Sequence, residues 1–81
     1  MQTTMSSVAA SIAKAMQQRA VEAGIPCTVN VEMAYDADGL LQVDKVTVYY
    51  DSTAANRLSE LQSLLTKECG VPAERQELIA R

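Results

Sequence analysis

"CTVNVEMAYDADGLLQVDKVTVYY", residues 27–50, carries the plainest structural pattern in the chain. Its first run alternates, with Cys27, Val29, Val31, Met33 and Tyr35 on one face and Thr28, Asn30, Glu32 and Ala34 on the other. That is the period-two pattern of a strand with one buried face. The last run is a second strand. Val46, Val48 and Tyr50 share an apolar face, but Leu41 and Val43 fall in the opposite phase. Either a bulge near Asp44–Lys45 resets the register, or the outward face of this strand is partly apolar.

Between the strands, Asp36-Ala37-Asp38-Gly39 looks like part of a calcium loop. An EF-hand loop takes oxygens from its first, third, fifth and twelfth positions and bends at a glycine in the sixth. With Gly39 sixth, the first position is Ala34 and the twelfth is Lys45, a cation where the bidentate carboxylate belongs. A hairpin turn is the simpler use: Gly39 accepts positive φ and the Asp side chains bond nearby backbone N–H groups.

Upstream, "MSSVAASIAKAMQQRAVEAG" places Met5, Val8, Ala9, Ile12, Met16 and Ala20 at helical steps of three or four. Gly24 and Pro26 stop that helix. Downstream, "DSTAANRLSELQSLLTKECG" carries Ala54, Leu58, Leu61, Leu65 and Cys69 on one stripe, with Asp51 or Ser52 as its cap and Gly70-Val71-Pro72 at its end. "RQELIAR" is a short third strand with Leu78 and Ala80, or Ile79 alone, facing in. The expected elements are a helix over about 5–23, strands over about 27–35 and 40–50, a helix over about 52–69 and a strand over about 75–80. The order α-β-β-α-β, one apolar stripe per helix and one apolar face per strand, predicts an α+β two-layer sandwich in a single domain spanning 1–81. Both helices pack on one face of a three-stranded sheet, and the final β-α-β is a right-handed crossover between parallel strands.

Composition narrows the function classes. The chain of 81 residues is 48% hydrophobic, with no Trp or Phe and only Tyr35, Tyr49 and Tyr50 as aromatics. Total stability is expected at about 4–12 kcal/mol. Seven basic residues against ten acidic ones give a net charge of −3, and the cations are scattered, so nucleic acid is not an expected partner. No apolar run is long enough to span a membrane, and the N-terminus lacks signal-peptide character. There is no histidine, the commonest general base and metal ligand. Cys27 lies in the apolar phase of a strand, and Cys69 lies at a helix C-terminus whose dipole disfavours a thiolate. The two are read as free thiols and not as nucleophiles, with a single bridge between strand and helix end as the alternative in an oxidising compartment. No catalytic, metal or cofactor residues are assigned, and an enzyme is not expected.

The hairpin "VNVEMAYDADGLLQVDKVTVYY" and the segment "LLTKECGVPAERQELIA", set in the succession helix, Gly-Ile-Pro, hairpin, helix, Gly-Val-Pro, strand, resemble the soluble domain of stage III sporulation protein AF. The resemblance covers nearly all of the chain and rests on element order, helix ends and apolar pattern. It implies a ring-building motif, a domain shared with components of type III secretion basal bodies. It implies a non-catalytic role in assembling the sporulation complex that links mother cell and forespore, with other subunits of that complex, and a second copy of the chain, as partners. The domain would stand in the space between the two membranes. The family carries transmembrane helices ahead of this domain, so the 81 residues would be a soluble piece starting at an added Met1, attached to membrane only through segments outside it.

Candidate contacts on the outward sheet face are Leu41, Val43 and Tyr49, with Thr47, Asn30 and Glu32 around them. Two other classes use a similar inventory of elements. A KH-like nucleic-acid domain needs a GXXG loop, and Gly24, Gly39 and Gly70 are not spaced that way. A small regulatory domain would bind a metabolite between paired subunits.

Overall fold

The computed structural model describes residues 5–81. Its elements are α1 (Met5–Glu22), β1 (Cys27–Tyr35), β2 (Leu41–Tyr50), a 3-10 segment (Ser52–Arg57), α2 (Leu58–Lys67), a 3-10 turn (Ala73–Arg75) and β3 (Gln76–Ala80). The side chain of Met5, assigned to the inner stripe of α1, and the start at Met1 lie outside the described residues.

α1 ends where the glycine and proline predict. Gly24 sits at φ 80, the Ile25 N–H reaches the Ala20 carbonyl at 2.9 Å and the Gly24 N–H reaches that of Val21 at 2.9 Å. These are the paired bonds of a left-handed helix cap. A second device completes it. Arg57 donates from Nη1 to the Gly24 carbonyl at 2.9 Å and from Nη2 to the Ala23 carbonyl at 3.0 Å. Its guanidinium also grips Glu60 at 3.0 and 2.6 Å.

The predicted 52–69 helix divides at this same residue. Arg57 leaves helical torsions at φ −121, ψ 22, so residues 52–57 run as a 3-10 segment and the α-helix begins at Leu58. Neither expected side-chain cap forms at the start of this segment: the Ala54 N–H bonds the Asp51 carbonyl at 2.8 Å. The Asp51 carboxylate instead faces Arg81 at 3.4 Å.

The sheet has the order β1-β2-β3, with β1 antiparallel to β2 and β2 parallel to β3. The register slips once: Glu32 opposes Lys45, but Met33 opposes Val43. Asp44 is therefore the extra residue of a bulge, which decides between the two readings of this strand. Below the bulge Val46 and Val48 are wholly buried; beyond it Met33 and Val43 pack against the same core. The core fills the space between the sheet and the helices with Met16, Ala20, Val29, Val31, Leu61 and Leu65 among its buried members. Burying each of the larger aliphatics stabilises the fold by about 1.5–3 kcal/mol. In β3, Leu78 packs inward; Ala80 is exposed and Ile79 lies in the opposite phase.

Candidate functional site

The turn between β1 and β2 is built as a hairpin. The Asp36 and Leu40 main chains pair at 2.9 Å, the Gly39 N–H bonds the Asp36 carbonyl at 3.0 Å, and Gly39 sits at φ 79. The Asp36 carboxylate is occupied by its own loop. Oδ1 accepts from the N–H groups of Asp38 and Leu40 at 2.9 Å each, and Oδ2 accepts from the Gln42 amide at 2.6 Å. A carboxylate tied to two backbone donors and an amide is a turn-former.

The thiols have the electrostatics of packed side chains. Burial, with Asp51 adding to it and Arg81 opposing, pushes the Cys27 thiol up. Burial also pushes the Cys69 thiol up, Arg19 opposing and Glu68 assisting. Both cysteines are free.

With both helices on one side of the sheet, no other described element covers the opposite face. Its residues come from all three strands: Thr28, Asn30 and Glu32 of β1, Lys45, Thr47 and Tyr49 of β2, and Glu77 and Ile79 of β3, paired as Asn30–Thr47–Glu77 and Thr28–Tyr49–Ile79 across the sheet. Tyr49 is exposed and Ile79 is half-buried. Lys45 Nζ meets Glu77 Oε2 at 2.6 Å, and that hydrogen bond, ahead of the charge itself, raises the lysine pKa. Arg81 bonds the Thr28 hydroxyl along one border of the face.

Of the four predicted contact residues, the structure keeps two on this face. Tyr49 is the exposed one. Thr47 is on the face but only 7% exposed, because it sits on the central strand with Asn30 and Glu77 on either side. Val43 and Leu41 are corrected. The bulge at Asp44 turns them to the helix side, where Val43 packs against the core and Leu41 pairs with Tyr35. Asn30 and Glu32 do lie on the uncovered face and are exposed. The sequence reading missed Ile79 and the Lys45–Glu77 pair. The strand order that puts β3 beside β2 brings them in, and no signal within either strand announces that order.

A separate cavity of about 520 Å³ opens on the helix side, between the end of α1 and α2, with Ile25 and Leu64 at its floor and Ser59, Ser63 and Lys67 around it. None of the predicted contact residues line it. Among the described residues no group of three or more His, Cys, Asp or Glu stands together as metal ligands do, and no helix is long and apolar enough to cross a membrane. Neither a protein-family model nor a curated protein matches the chain.

Proposed function

We propose that this chain is a non-catalytic assembly domain, holding together subunits of a sporulation complex in the space between mother cell and forespore. The reading combines the resemblance to stage III sporulation protein AF with one observation that carries it. A mixed sheet has helices on one face only, and on the other face Tyr49 and Ile79 stand exposed and half-exposed amid polar side chains. Aromatic and aliphatic anchors inside a polar surround are the composition of protein–protein contacts. Two further points agree with a structural role: the hairpin carboxylate is spent on its own turn, and both thiols are held toward the protonated form. A ring contact of this kind is heterologous, one patch meeting a different patch on the next subunit.

The test replaces the native gene of the source organism with a Tyr49→Glu version. The variant protein is expected to fold and accumulate normally while heat-resistant spores fall by orders of magnitude. Normal spore yield, or an organism that forms none, would refute the reading.

A further inference from the structure

The two edges of the sheet are not alike. α1 runs beside the β1 edge: Gln17 accepts the outward N–H of Val29 at 3.0 Å, and Ala9, Ala10 and Ala13 of the same helix stand near Asn30 and Val31. Among the described residues the β3 edge is bare. The Arg81 N–H bonds the Tyr50 carbonyl at 3.0 Å, so the odd-numbered residues of β3 direct their main-chain groups toward β2. Alternate residues of a strand point to opposite sides, so Leu78 and Ala80 direct N–H and C=O away from the sheet. Among the described residues no other group bonds them. Such an edge is a template for another strand, and natural sheets leave it open only where a partner uses it or another feature blunts it.

The side chains of β3 select the partner. Glu77, Ile79 and Arg81 alternate along the uncovered face: Glu77 reaches Lys45 there and Arg81 reaches Thr28. We propose that β3 is the seat of a two-fold contact between copies of this chain, the β3 strands of two molecules pairing antiparallel about Ile79. Leu78 of each copy then exchanges both main-chain hydrogen bonds with Ala80 of the other, using the four outward groups that no described residue bonds. Ile79 meets its own symmetry mate at a non-hydrogen-bonded position, where cross-strand side chains come closest. Glu77 faces Arg81 of the other copy, and this happens twice. The neighbouring register, centred on Leu78, would set Arg75 against Arg81 and Glu77 against Ile79, which is a like-charge pair and a mismatch. Charge and pleat therefore favour the same pairing, and the three-stranded sheets of two molecules become one sheet of six.

A contact of one short strand buries far less than the roughly 1,600 Å² of a standard interface. The dimer is accordingly weak, with Kd on the order of 10⁻⁴ M, and operates where an assembly holds copies close together. The proposal rests on the assembly reading for its use in the cell, but the contact itself is tested apart from it.

Sedimentation velocity on the 81-residue chain up to about 1 mM is expected to show a monomer–dimer equilibrium. Ala80→Pro removes an outward N–H without touching the ladder to β2 or a buried side chain, and edge positions tolerate proline; this variant is expected to stay monomeric. Glu77→Arg and Arg81→Glu each turn two attractive pairs into repulsive ones and weaken the dimer by about tenfold or more. Mixed in equal amounts, these two variants regain association, because Arg at 77 then faces Glu at 81 and Glu77 faces Arg81. That rescue also shows that both variants are folded. A wild-type chain that remains monomeric at 1 mM, or edge variants that dimerise as well as wild type, would overturn the proposal. If Tyr49→Glu abolishes association while the edge variants keep it, the contact lies on the sheet face. The edge proposal then fails and the assembly reading stands; the spore assay tests that reading independently.

Discussion

Gly24→Ala is the substitution that most directly probes how this small domain closes its first helix. Gly24 stands at φ 80, and a Cβ built there comes 3.2 Å from Arg57 Nη1. Forcing a side-chain-bearing residue into the left-handed region costs about 1–2 kcal/mol. The close approach adds a second cost. Arg57 is held by bonds to the Ala23 and Gly24 carbonyls and to Glu60, so it cannot retreat without stretching one of them. Its side chain is 34% exposed, and after discounting for solvent the loss of one such bond is about 1 kcal/mol. The expected total is about 2–3 kcal/mol, a drop in Tm of roughly 10–20 °C for a domain of this size. Gly39→Ala is the control. Its φ is 79 with nothing within 4 Å of the new Cβ, so only the torsional cost of about 1–2 kcal/mol applies. Thermal unfolding followed by circular dichroism should rank Gly24→Ala below Gly39→Ala. In an Arg57→Ala background the excess cost at residue 24 should vanish. Equal costs at the two glycines, with no coupling between residues 24 and 57, would show that Arg57 does not clamp the helix end.

Two other outcomes follow from the packing and the electrostatics. Val43→Asp puts a carboxylate on the helix side of the bulge, against the core, and is expected to cost about 2–4 kcal/mol; a urea midpoint unchanged from wild type would place Val43 on the uncovered face instead. The raised Cys27 thiol pKa has its cause first in burial. The unfolded chain releases that proton more readily than the folded one, so stability falls as pH rises. The contribution is complete below the ordinary thiol pKa and is lost as pH climbs through the raised folded value. Denaturant unfolding across the alkaline range should therefore show a decline that is shallower in Cys27→Ala, and identical slopes would remove Cys27 as its source.

The amino-acid sequence alone specified what short-range chemistry controls. The periodicity of residues 27–33, the hairpin at Asp36–Gly39 and the end of α1 at Gly24 all depend on neighbours within a few positions, and each matches the structure; Tyr35, read on the buried face, is exposed. What the sequence left undecided has partners far along the chain. The phase conflict of Leu41 and Val43 was legible, but whether a bulge absorbed it depended on how β2 met β1 and the helices, and the slip at Asp44 turned two predicted contact residues inward. The predicted 52–69 helix is divided at Arg57, whose side chain serves carbonyls more than thirty residues away. Thr47 is on the predicted face yet buried, since the strand order places β3 beside it. Local torsion preferences and apolar period are written residue by residue. Register, strand order and the clamping of one element by another are settled only when the whole core minimises exposed apolar surface and unpaired polar groups together. The bare edge of β3 and the face shared by Glu77, Ile79 and Arg81 belong to that second kind.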